Sequence, residues 1–256
     1  MRNFKIVLQY EGTRYRGWQR QVSTENTIQG KLEALLTKMT GEKIEIIGSG
    51  RTDAGVHALG QVANFHADTQ MSPEEILNYM NFYLPEDIAV ISVKEVSERF
   101  HSRLNVKGKS YCYRVVQTEV PHIFDRKYAH FMKEDLDVAA MEKAAEILVG
   151  THDFKAFTSS KKGKKSTVRT IEKIEIKKTV SASMRMQNVQ DEIRFIYSGN
   201  GFLYHMVRIM TGTLLEVGTH KKRPEEVAEI LDSGLREKAG ELVPAKGLIL
   251  MEVRYS

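Results

Sequence analysis

Twice along this chain the apolar residues change period in one order, from two to about 3.6 and back, and few folds accept that order. Residues 4–10 (FKIVLQY) have the β-branched and aromatic content of a strand. Asn26 and Gln29 read as a capping pair for a helix to about residue 40. On it Ile28, Leu32, Leu35, Leu36 and Met39 share a face, and Gly41 ends it. Strands are predicted at 43–47 and 60–66. Ser72-Pro73-Glu74-Glu75 starts a helix that runs to about residue 83, and Pro85 closes it. Residues 88–96 are the next strand, which completes a β-α-β-β-α-β, or ferredoxin-like, order.

The second half repeats the order with one extra helix. Residues 107–117 read as a strand with Lys109, Tyr111, Tyr113 and Val115 on one face. A helix at 136–149, a loop at 151–166, and paired strands at 168–178 and 193–198 follow. Helices at 202–217 and 224–232 and a strand at 248–255 complete it. No residue-level repeat links the halves. The expected fold is α+β: two ferredoxin-like halves, 1–105 and 106–256, with mainly antiparallel sheets packed side by side and a cleft between them. Apolar residues at 41% suffice for a sizeable core.

Within this frame one stretch stands out chemically. Gly48-Ser49-Gly50-Arg51-Thr52-Asp53-Ala54-Gly55 places three glycines in eight residues, with a guanidinium and a carboxylate between them. It is no P-loop, since Val56 follows the last glycine where Lys is required. It is no dinucleotide fingerprint either, since Asp53 stands where the third glycine belongs. Two readings stand on local chemistry: a structural turn in which Asp53 caps a backbone N–H, or a site that holds a polar ligand against its backbone.

The run from Glu11 to Gln21 carries three arginines, Tyr15 and the only tryptophan, Trp18. Basic residues among aromatics suit phosphate neutralisation and base stacking; Trp18 by itself reads as packing under the loop. Net charge is +5, and residues 155–178 hold nine Lys/Arg against two Glu, which reads as a phosphate-facing segment or a solvated lysine loop. One cysteine, Cys112, excludes an internal disulfide framework, fits a reducing compartment, and reads as a small core residue. The histidines lack metal-ligand spacing, and no leader or membrane-spanning run is read, so the expectation is a soluble intracellular protein without metal. His57, four residues after Asp53, reads as an acid–base partner or as a structural hydrogen bond.

Gly48-Ser49-Gly50-Arg51-Thr52-Asp53-Ala54-Gly55-Val56-His57-Ala58 resembles the signature of the tRNA pseudouridine synthase A family. The resemblance continues through the Glu11–Gln21 run, Lys109-Ser110-Tyr111-Cys112-Tyr113-Arg114, Gly199-Asn200-Gly201-Phe202-Leu203-Tyr204-His205-Met206-Val207-Arg208, and Pro244-Ala245-Lys246-Gly247-Leu248. It implies an isomerase that turns uridine into pseudouridine at tRNA positions 38, 39 and 40, in the cytoplasm, as a homodimer, with no cofactor and no metal. It implies that Asp53 is the catalytic carboxylate, Arg208 pairs with it, Tyr111 stacks on the extruded base, Arg51 assists base flipping, and Leu248 lines the uracil pocket. The family has Asn after the arginine of the second motif; here Ile209 stands there, which is expected to affect local packing. The rival expectations are a non-catalytic RNA-binding protein on the same scaffold and a histidine ribonuclease using His57 and His205.

Overall fold

β1 (Arg2–Tyr10), α1 (Ile28–Thr40), β2 (Ile46–Gly48), β3 (His57–Ala67), α2 (Pro73–Tyr83) and β4 (Ile88–Val96) follow one another in the predicted order. They come from a computed structural model that describes residues 1–160, 166–180 and 191–255. The chain divides into two units: Met1–Lys107 together with Ile249–Ser256, and Gly108–Leu248.

In the first unit β4, β1, β3 and β2 pair antiparallel in that order, which is the ferredoxin-like arrangement. The register sets Phe4 opposite Phe65 and Ile6 opposite Ala63. The two phenylalanine rings stack at 5.5 Å, and Ile28, Leu32, Leu36, Ile76 and Met80 from the helices join them in the core. α2 begins as predicted, on a capping box: Ser72 Oγ accepts from Glu75 N, and a Glu75 carboxylate oxygen accepts from Ser72 N. α1 does not begin on Asn26. Its cap is Thr27, whose Oγ1 accepts from Gly30 N at 3.2 Å. Asn26 instead donates to the Arg14 carbonyl, and Gln29 turns to Arg20, Glu33 and Ile46. α1 ends at Gly41 with φ of 76°.

The segment after β4 is tied back to the sheet by buried amides. Asn3 Nδ2 donates to the carbonyls of Ser97 and Phe100, each at 2.9 Å, and Asn64 Oδ1 accepts from Ser102 N at 2.9 Å.

The second unit contains β5 (Gly108–Gln117), β6 (His130–Met132), α3 (Val138–Leu148), β7 (Gly150–Asp153), β8 (Val168–Val180), β9 (Asp191–Gly199), α4 (Met206–Gly218) and α5 (Glu226–Ser233). β5, β9, β8 and β7 pair antiparallel in that order, and β6 lies parallel to the end of β5, Val115 opposite His130. β6 and β7 were not expected; at three and four residues they are too short to show a period. α4 starts four residues later than the predicted 202, because His205 takes φ of 65° immediately before it. Its apolar face is not a stripe: almost every residue from Met206 to Gly218 is buried.

β10 (Leu248–Arg254) was expected to close the second half. From Ile249 onward it belongs to the first unit, where it pairs parallel with β3, Ile249 opposite His57 and Leu250 opposite Ala58. One edge of β3 is therefore shared: its first residues carry β10, and its later ones, Ala63 to Phe65, carry β2. No helix among the described residues is long and apolar enough to cross a membrane.

Candidate active site

The glycine-rich stretch leaves β2 and returns at β3, and its backbone is held at nearly every step. Ser49 N donates to Val62 O at 2.8 Å, and Ser49 Oγ donates to Gln61 Oε1 at 2.7 Å. Gln61 is fully buried, and its amide nitrogen donates to Gly50 O at 3.1 Å. Thr52 is fixed twice: its Oγ1 bonds the Tyr10 hydroxyl at 2.8 Å, and its carbonyl accepts from Trp18 N at 3.0 Å. Burial pushes the Tyr10 phenol up to about 12, so the hydroxyl keeps its proton there at neutral pH. After Asp53 the chain turns at once, Val56 N donating to the Asp53 carbonyl at 3.2 Å. The Asp53 side chain is half-buried and Arg51 is exposed.

The Glu11–Gln21 run packs beneath this loop. Trp18 is 2% exposed with its indole against Gly48, so the packing expectation for Trp18 holds. Gly17 has φ of 91°, and a Cβ there would stand 2.7 Å from the Thr52 carbonyl oxygen; the two loops touch backbone to backbone. Two of the run's arginines are held by carboxylates, Arg14 by Asp87 at 2.7 Å and Arg20 by Glu33 at 3.3 Å. His57 is buried and its Nδ1 accepts from Gly12 N at 3.0 Å, which makes it a structural residue of the loop base.

The other candidates lie in the second unit, at the segment 239–248. Gly212 on α4 lets that segment come close, since a Cβ there would stand 2.0 Å from the Glu241 carbonyl oxygen. Two consecutive carbonyls are then held by side chains: Arg208 Nε donates to Val243 O at 2.8 Å, and the Tyr113 hydroxyl donates to Pro244 O at 2.8 Å. Arg208 is 9% exposed. Ile209 is fully buried, in keeping with a packing role. Tyr113 is a core residue whose phenol is pushed up strongly by burial, against a smaller opposing effect of Arg208. Tyr111 is 8% exposed and meets Phe202 edge to face at 5.1 Å. Leu248 is buried at the start of β10. Cys112 is buried, and desolvation pushes its thiol up to about 11, which fits an inert core residue.

The structure thus gathers Arg51 and Asp53 on one immobilised loop of the first unit. It gathers Tyr111, Arg208 and Leu248 around β5, α4 and the 239–248 segment of the second. Lys161, Lys162, Lys164 and Lys165, read as phosphate-facing, lie outside the described residues. Sequence reasoning missed Gln61, Thr52 and Tyr10, which hold the loop. The available signal was Gln61, an amide set between Leu59-Gly60 and Val62-Ala63.

Comparison with known proteins gives a match over most of the chain. A sequence profile described as tRNA pseudouridine synthase matches residues 6–105 and 144–256. A protein named tRNA pseudouridine synthase A from Bacillus sp. (strain KSM-64) is 48% identical over 255 residues, covering all of both chains. One named tRNA pseudouridine synthase A 1 from Clostridium tetani is 47% identical over 255 residues, again covering both completely. One named tRNA pseudouridine synthase A 2 from Clostridium perfringens is 43% identical over 255 residues with the same full coverage.

Proposed function

The chain belongs to the tRNA pseudouridine synthase family, and from that premise we propose where on tRNA it acts and which residues act. It isomerises uridine to pseudouridine in tRNA. The reaction breaks the bond from ribose C1′ to uracil N1, turns the base, and joins C1′ to C5. The C5 proton is lost and N1 takes one up, so no electrons are gained or lost. The uridines are those at positions 38, 39 and 40, on the 3′ side of the anticodon stem-loop. Extruding a base costs a few kcal/mol and less at a loop than in a duplex.

Asp53 is the carboxylate that bonds transiently to the extruded nucleoside. Arg208 is the cation that pairs with it. Tyr111 stacks on the uracil, Leu248 lines its pocket, and Arg51 pushes the nucleotide out and fills its place. Two copies of the chain act as a homodimer in the cytoplasm. The observation that carries this reading is the immobilised backbone on both sides of Asp53: Thr52 held by Tyr10 and Trp18, and the turn closed by Val56. A half-buried carboxylate presented from a fixed backbone is preorganised for attack. A non-catalytic RNA-binding protein is not favoured by the family match, and the structural role of His57 removes one arm of the ribonuclease reading.

The test uses tRNA with tritium at uridine C5. The wild-type protein releases tritium and leaves pseudouridine at 38–40 only; Asp53→Asn binds the tRNA with unchanged affinity and releases none. Release by Asp53→Asn at the wild-type rate would remove the aspartate from its role, and product elsewhere in the tRNA would overturn the site.

A further inference from the structure

The exposed Arg51 is not left to find its own rotamer. We propose that Gln19, Gln29 and Glu33 form a polarised relay that fixes the Arg51 guanidinium, which makes Gln19 a positioning residue for base extrusion. The proposal rests on the reading of Arg51 given above.

The relay starts in the interior. Glu33 on α1 is 5% exposed. Its Oε1 accepts from Ile46 N at 3.1 Å and from Gln29 Nε2 at 2.9 Å, and its Oε2 lies 3.3 Å from Arg20 Nη1. Gln29 Nε2 also donates to the Ile46 carbonyl at 3.1 Å, and Gln29 Oε1 accepts from Arg20 N at 2.9 Å. A backbone N–H can only donate and a backbone carbonyl can only accept, so Gln29 has one permitted amide orientation. That leaves Gln29 Oε1 facing Gln19. Gln19 must therefore turn its amide nitrogen inward, and Nε2 donates to Gln29 Oε1 at 2.6 Å. Its own oxygen then faces outward, where it accepts from Arg51 Nε at 2.9 Å.

Each step forbids the flipped alternative of the next. A carboxylate and two backbone groups thereby dictate that Arg51 meets an acceptor at Nε. With Nε held, the terminal nitrogens of the guanidinium fork point onward from a fixed stem. An arginine that must enter the space of a departing base benefits from that restriction, because ordering it in advance lowers the entropy lost at the transition state. The same contacts add a side-chain link from α1 and the Glu11–Gln21 run to the glycine loop, beside the backbone bond from Trp18 N to Thr52 O.

The experiment is a double-mutant cycle on the full chain with tRNA substrate: Gln19→Ala, Arg51→Ala and both together. Single-turnover rates are measured with enzyme in excess, tRNA affinity separately, and thermal melts check folding. Gln19→Ala is expected to lower the single-turnover rate about fivefold with tRNA affinity unchanged, the scale of releasing one long side chain. In the Arg51→Ala background it is expected to lower the rate no further. The Arg51 Nε–H resonance, assigned by its loss in Arg51→Ala, is expected to exchange faster with solvent in Gln19→Ala. Full additivity of the two losses, or an unchanged rate and exchange in Gln19→Ala while Arg51→Ala is impaired, would overturn the relay alone. Wild-type turnover in Arg51→Ala would remove Arg51 from base extrusion and the positioning role of Gln19 with it.

Discussion

Alanine at Gly17 separates two penalties that one structure rarely offers apart. Gly17 has φ of 91° and Gly41 has φ of 76°, so an L side chain is strained at both. That strain costs about 1–2 kcal/mol in the left-handed region. The lower unfolded-state entropy of alanine offsets part of it by roughly 0.4–1 kcal/mol, equally at the two sites. Beyond this the sites differ. A Cβ at Gly41 meets nothing within 4 Å, whereas at Gly17 it stands 2.7 Å from the Thr52 carbonyl oxygen. Backbone must move to relieve that contact, at a further cost of about 1–3 kcal/mol, the range for overpacking. Gly41→Ala should thus lose about 1 kcal/mol in urea denaturation and keep its tRNA-modifying rate. Gly17→Ala should lose about 2–4 kcal/mol, and because Thr52 precedes Asp53 its single-turnover rate should fall about tenfold or more. Equal destabilisation of the two variants, or a Gly17→Ala protein that folds less stably but works at the wild-type rate, would refute the claim that this contact sets the carboxylate.

Three further outcomes are expected. Glu192 is fully buried and accepts from Arg114 Nε at 2.7 Å, Arg114 Nη2 at 3.1 Å and Arg194 Nε at 2.7 Å. Burial pushes its carboxyl up, but the two guanidinium groups outweigh this and hold it below the usual glutamate range. Arg114→Met should cost about 3–5 kcal/mol at pH 7. With the folded value depressed, this stability is complete above the unfolded glutamate pKa of about 4.3 and is lost as pH falls through the folded value. Denaturation at pH 7, 4 and 3 should then show the gap between wild type and variant narrowing, and a constant gap would contradict the pairing. Tyr113→Phe removes the donor to the Pro244 carbonyl and should cost about 1 kcal/mol in chemical denaturation; no loss would mean that carbonyl is satisfied without it. Alanine at Lys161, Lys162, Lys164 and Lys165 should flatten the dependence of log affinity for tRNA on log salt by up to about 3 units, and an unchanged slope would remove these lysines from the phosphate contact.

What could be read from the sequence was what local chemistry decides. Ser72 and Glu75 cap α2 within four residues, and the α2 boundary followed from them. Asn26 and Gln29 carry the same kind of signal, but their side chains turn to Arg14, Arg20, Glu33 and Ile46, and Thr27 caps the helix instead. The glycine-rich stretch was legible as a site because its residue types are unusual together. The residues that hold it, Tyr10, Trp18 and Gln61, come from β1, the following loop and β3, and no spacing rule joins them. Arg208 illustrates the same limit. Its burial depends on the 239–248 segment lying against α4, which nothing in the helix's own sequence announces. Glu33 and Glu192 are buried charges whose partners were invisible until the fold brought them near.

The shared edge of β3 has a consequence for how the protein is made. His57 and Ala58, the residues next to the glycine loop, receive their neighbours Ile249 and Leu250 from nearly two hundred positions further along the chain. Synthesis proceeds from the N-terminus, so the intervening Gly108–Leu248 unit is translated before this edge can be covered. The strand that anchors the loop waits, half zipped, until that whole unit has been made.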